Sequence, residues 1–256
     1  MLIAVTRPVS PALIQCELTH LERVPIDVAR AIAQHADYER LLISLGASVV
    51  RAAAAPESPD AVFIEDTAIV LDEVAVIARP GAASRRAETE AVATLLSTCR
   101  PLESMTAPAT LDGGDVIRLG RTLYVGRSSR TNPAGIEQLR RLTAPFGYSV
   151  APVEFAGCLH LKSAATALSD DLLLFNPAWV STDSFSGVET VAVDDREPYA
   201  GNALRVADAL VYPTEFPRTL EKLQSRGLRV ATLEYDELAK AEGAVTCCSL
   251  VFEEKP

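Results

Sequence analysis

Residues Gly113–Gly126 read GGDVIRLGRTLYVG, two short apolar runs joined by the polar turn LGR. Apolar, β-branched runs that meet at a short polar turn form a β-hairpin. The same pattern recurs in Val62–Pro80 (VFIEDTAIVLDEVAVIARP), Leu161–Pro177 (LKSAATALSDDLLLFNP) and Gly201–Pro213 (GNALRVADALVYP). Val245–Pro256 (VTCCSLVFEEKP) supplies the first half of a fifth pair. Measured from Asp66, Asp115, Ala164, Asn202 and Cys247, the steps are 49, 49, 38 and 45 residues, so the chain divides into five similar units.

Helical periodicity fills most of the gaps, at Asp27–Leu45, Ser84–Cys99, Asn132–Phe146 and Arg218–Arg226. The 38-residue step carries no helical pattern and reads as an abbreviated unit. The fifth unit lacks a second strand, and Leu2–Thr6 (LIAVT) is an apolar run at the other terminus that can supply it. These readings predict an α/β fold, a five-bladed ββαβ propeller with pseudo-fivefold symmetry, with residues 1–256 forming one catalytic domain. In such a ring the starts of the five units converge on the axis, which brings Asp66, Asp115, Asn202 and Cys247 together.

At 48% hydrophobic residues the chain can bury a large core. A net charge of −10 argues against nucleic acid or an anionic membrane as partner and suits a small cationic molecule. The five cysteines are odd in number and irregular in spacing, which fits a reducing compartment better than a disulfide framework. The N-terminal apolar run is too short for a signal peptide or membrane span, so the expected location is the cytoplasm.

Cys247 and Cys248 are adjacent, and residues adjacent on a strand face opposite ways, so at most one of them faces the axis. Cys247 stands where other units carry polar residues; it is either a nucleophile or a buried thiol. Cys248, among apolar neighbours, reads as core. Among the histidines, His20 and His35 read as surface or capping residues, whereas His160 precedes the third hairpin at the edge equivalent to that of Cys247. There it can give and take a proton.

Asp60, Glu65, Asp66, Asp112 and Asp115 sit at strand ends, where acidic residues often only form turns, but five near one channel suit a cation. The Gly113-Gly114 pair reads as a sharp bend beside Asp112. Arg85 and Arg130 lie at predicted helix starts, where positive charge opposes the helix dipole. A bound carboxylate accounts for them, as does plain solvent exposure.

These residues together resemble the dimethylarginine dimethylaminohydrolase family of the guanidine-modifying superfamily, whose members are five-bladed propellers. The matching pieces are PDAVFIED, ARPGAASRR, TLDGGDV, VGRSSRTN, LHLKS, YAGN and VTCCS, spanning residues 59 to 249. The resemblance implies Cys247 as nucleophile, His160 as general acid and base, and Asp112 as the carboxylate that orients His160 or the substrate. It further implies Asp60, Glu65 and Asp66 around the guanidinium, Arg85 and Arg130 on the α-carboxylate, and the carbonyls of Leu18 and Ala241 on the α-amino group.

Two residues depart from the pattern: Asp112 is shorter than the Glu of some relatives, and Ala241 is smaller than the usual aliphatic. The implied reaction hydrolyses methylated arginine to citrulline with no cofactor and no metal, and a homodimer is the candidate assembly. The alternatives are an arginine deiminase or amidinotransferase, or a non-enzymatic propeller that binds a macromolecule. Leu13–Val24 is the candidate lid.

Overall fold

A computed structural model describes residues 1–185 and 187–254; the last two residues of the fifth repeat lie outside it. Strands are β1 (Leu2–Thr6), β2 (Ser48–Arg51), β3 (Ala68–Val70), β4 (Ala75–Ile77), β5 (Leu102–Ser104), β6 (Val116–Leu119), β7 (Thr122–Gly126), β8 (Ser149–Val153), β9 (Ala165–Ala167), β10 (Leu172–Phe175), β11 (Glu189–Ala192), β12 (Leu204–Val206), β13 (Ala209–Pro213), β14 (Val230–Leu233) and β15 (Leu250–Glu253). They form five three-stranded sheets, β3-β4-β5, β6-β7-β8, β9-β10-β11, β12-β13-β14 and β15-β1-β2. In each, the first two strands are antiparallel and the third is parallel to the second.

The hairpin at Gly113–Gly126 is β6 and β7 in the register Val116↔Val125 to Leu119↔Thr122. Gly120, at φ +56°, supplies the left-handed backbone that its two-residue loop requires. The terminal units close as expected, with β1 antiparallel to β15 from Leu2↔Glu253 to Val5↔Leu250.

A parallel third strand needs a crossover, which is where the four longer helices lie, whereas two four-residue helices lie between sheets. They are α1 (Val28–Ser44), α2 (Thr89–Leu96), α3 (Pro133–Thr143), α4 (Leu161–Ala164), α5 (Pro217–Ser225) and α6 (Asp236–Ala239). Side chains of Asp27 and Asn132 accept N–H bonds from Arg30 and Gly135, so both helix starts carry the caps their sequences offer.

The apolar core is divided into five clusters, each at the junction of two neighbouring sheets. Four contain a crossover helix, α1, α2, α3 or α5. The junction of the second and third units does not: there Phe185 packs on Tyr124 with ring centroids 4.9 Å apart, and Phe155 and Trp179 pack alongside. Aromatic side chains thus fill the space of the missing helix in the 38-residue unit.

Two sequence expectations need correction. Cys247 and Cys248 are in a turn before β15, not on a strand, so strand alternation is not what separates them. His35 is buried, with 4% of its surface exposed, where α1 packs on the fifth sheet beside Glu39 and Tyr38. Burial pulls its pKa down to about 4 against the opposing pull of Glu39.

Candidate active site

The turn before β15 sets the two cysteines apart. The Cys248 thiol is fully buried 3.0 Å from the Tyr235 hydroxyl, and burial raises its pKa to about 12. Cys247 faces a small cavity at the ring axis, where the Ala244 N–H donates to its Sγ at 3.4 Å. Beneath this turn, residues from several units form a polar plug. The Glu65 N–H donates to the Cys247 carbonyl at 3.1 Å, and the Glu65 carboxylate accepts from Thr246 Oγ1 at 2.8 Å and Lys162 Nζ at 2.6 Å. Asn202 brackets Thr246, donating to its hydroxyl at 3.0 Å and accepting its N–H at 3.1 Å.

His160 faces the same cavity from the loop before α4. Its Nε2 lies 3.1 Å from Asp112 Oδ2 and its Nδ1 3.9 Å from Asp66 Oδ1. The shorter Asp112 therefore reaches the ring. Asp115 braces the loop by accepting the Leu161 N–H at 2.9 Å. Gly113 and Gly114 serve close approach more than a bend. A Cβ on Gly113 would lie 2.0 Å from the Glu65 carbonyl oxygen, and one on Gly114 would lie 2.7 Å from His160 Nδ1.

Burial alone would lower the imidazole pKa, but Asp66, the Asp112 hydrogen bond and Asp115 outweigh it and carry His160 to about 9. Burial, with the Glu65 and Asp66 charges behind it, pushes the Cys247 thiol well above its ordinary value. Near neutral pH these surroundings favour an imidazolium and a neutral thiol. Burial also raises Asp60 to about 6, against the pull of Arg85. For Asp66 burial works against the charge, but His160 and Arg85 outweigh it and hold the pKa below the ordinary carboxylate range.

The two arginines differ. Arg85 is held by several protein acceptors: it pairs with Asp66 at 2.5 Å and Glu88 at 2.9 Å and donates to the carbonyls of Asp60 and Phe63. Arg130 has one ionic partner among the described residues, Glu17 at 3.1 Å.

Asp60, Asp66, Arg85, Arg130 and Ala241 line the cavity with Cys247 and His160. Three expected residues do not: Asp112 stands behind His160, Glu65 lies in the plug below, and Leu18 packs half-buried against the core cluster that contains Ala241. Glu17, Glu242, Glu88, Lys162 and Thr246 were not singled out from the sequence. Their only signal is position, within a loop or next to a matched residue. Among the described residues, Asp66, Asp112 and His160 form the one acidic and histidine group close enough to share an ion. Arg85, the Gly114 N–H and the His160–Asp112 pair already engage those atoms.

No family model matches the chain. A dimethylarginine dimethylaminohydrolase of Streptomyces coelicolor is 38% identical over 255 residues, 98% of this chain and 97% of that protein. The chain belongs to the dimethylarginine dimethylaminohydrolase family. The Pseudomonas aeruginosa dimethylarginine dimethylaminohydrolase, solved as a cysteine-to-serine variant complexed with citrulline, superposes with a TM-score of 0.93 at 32% identity, covering 97% of this chain and 98% of that one. A dimethylarginine dimethylaminohydrolase histidine-to-glycine variant, solved as an adduct with S-methyl-L-thiocitrulline, gives the same TM-score and identity over 98% of this chain and all of that one. Dimethylarginine dimethylaminohydrolases have the pentein fold, the five-unit ring described above.

Proposed function

We propose that this protein hydrolyses Nω-methylated L-arginine to L-citrulline, with Cys247 as nucleophile and His160 as general acid and base. The observation that carries the reading is the meeting of the Cys247 thiol, the His160 imidazolium and the Asp60 and Asp66 carboxylates around one cavity. The structures of family members with citrulline and with S-methyl-L-thiocitrulline support an amino acid of this shape as the ligand.

A guanidinium carbon is a weak electrophile because its charge is spread over three nitrogens, so the attack needs a thiolate and a cation fixed in line with it. In the empty site the negative field of Glu65 and Asp66 opposes the thiolate. A guanidinium seated on Asp60 and Asp66 offsets that field, so substrate binding itself favours loss of the thiol proton to solvent water. The sulfur then bonds to the guanidinium carbon. His160, protonated because its pKa is about 9, gives its proton to the dimethylamine nitrogen as the C–N bond breaks.

The product is an S-alkylthiouronium on Cys247. The neutral imidazole then takes a proton from water, the resulting oxygen attacks the same carbon, and the C–S bond breaks to return the thiolate and release citrulline. Asp112 holds the ring in the orientation both transfers use. Glu65 supports the nucleophile's turn, its carboxylate accepting from Thr246 Oγ1 and its backbone N–H donating to the Cys247 carbonyl. The expected compartment is the cytoplasm; none of the helices among the described residues is long and apolar enough to cross a membrane.

Citrulline formation from Nω,Nω-dimethylarginine, Nω-methylarginine and unmodified arginine tests the assignment. The methylated substrates should be turned over faster. Faster turnover of arginine would indicate a deiminase, and no turnover of any of the three would indicate a binding protein.

A further inference from the structure

The cavity holds only about 20 Å³ of free space, room for about one water, so an arginine-sized ligand enters only after something moves. The segment across its mouth runs from the 3-10 turn at Leu13–Gln15 toward α1 and carries Glu17. Its far end is fixed, since a single Glu242 carboxylate oxygen accepts the N–H groups of Thr19, His20 and Leu21 at 3.0, 2.5 and 2.6 Å. Its near end is held through Glu17. The Glu17 carboxylate lies on Arg130 and accepts from the Ser84 hydroxyl, while its backbone N–H donates to Asp60 Oδ2 at 3.2 Å.

Glu17 therefore presents an anion to Arg130 and a hydrogen-bond donor to Asp60. The amino acid of the proposed reaction has to present the same two things, a carboxylate and a cationic donor. The Arg130 side chain is 11% exposed and that of Glu17 is 42% exposed, so the anion is the more mobile partner of the pair. Leaving Arg130 without an anion in this setting would be costly.

We propose that Glu17 is a built-in competitor of the substrate carboxylate: its own carboxylate occupies that position on Arg130, and a ligand bringing a carboxylate gains the arginine only by displacing it. This rests on the proposed function and adds a contact that limits how tightly its amino-acid substrate binds. Guanidines without a carboxylate, such as a decarboxylated arginine, gain nothing from Arg130 while Glu17 stays. Amino acids gain that contact only after competing with Glu17.

The test compares KM and kcat for Nω-methyl-L-arginine, and the inhibition constant of Nω-methylagmatine, in the unaltered protein and in Glu17→Gln and Glu17→Asp. Glu17→Gln removes the competing charge at an exposed position and should lower KM for the amino acid about three- to fivefold, with a smaller change in kcat. The inhibition constant of the agmatine should stay within about twofold, and Glu17→Asp should keep most of the competition. A raised or unchanged KM in Glu17→Gln, or an equal shift for both ligands, would overturn the assignment of Glu17 alone. Failure of the unaltered protein to turn over Nω-methyl-L-arginine would instead overturn the function and this inference with it.

Discussion

His160 and Asp60 set the range of pH in which the site can work. Asp60 must be charged to hold a guanidinium and is so above about pH 6; His160 must be protonated to release the amine and is so below about pH 9. The profile of kcat/KM should therefore be a bell with an acid limb near 6 and an alkaline limb near 9. A limb near 6.5 on the alkaline side would mean that the carboxylates around His160 do not act on it. Cys247, His160, Asp60, Asp66 and Asp112 were legible in the sequence because chemically demanding residue types recur at equivalent places in a repeat. Glu17 and Lys162 were not, because a charged residue on a loop looks the same whether it faces solvent or another unit's charge. Arg85 and Arg130 look alike in the sequence for the same reason, although Arg85 is held by Asp66 and Glu88 and Arg130 by Glu17.

Elements were read well where the local signal is strong. Asp27 and Asn132 announce their helices as caps, and the turn glycine Gly120 announces its hairpin. The turn that carries Cys247 and Cys248 looks like strand in the sequence, since its apolar residues match a buried strand in composition and it is held bent by distant partners, the plug beneath it and the Tyr38 and Tyr235 hydroxyls. The absent crossover helix of the third unit was visible as a short step, but its replacement was not. Aromatic residues scattered over 60 positions meet there only in three dimensions. Phe185 is 2% exposed in that junction, and Phe185→Ala should destabilise the protein by about 3–5 kcal/mol in urea unfolding. A loss below about 1 kcal/mol would show that the junction does not depend on this ring.

For the whole molecule, the ring is what makes a site from distant pieces. Five junctions each bury their own cluster, and the pairing of β1 with β15 joins the two ends of the chain. Closure was predictable because an apolar run at each terminus lacked a partner. How tightly the axis closes was not predictable, since the 20 Å³ of remaining space depends on side chains from every unit and from the segment around Glu17.

The most direct test of this convergence is to quench the protein in acid during turnover of Nω-methyl-L-arginine and locate the bound amidine by peptide mass spectrometry. The expected result is an S-alkylthiouronium on Cys247, none on Cys248, retention of turnover in Cys248→Ser and loss of both adduct and citrulline in Cys247→Ser. Citrulline production by Cys247→Ser, or an adduct on any other residue, would contradict it.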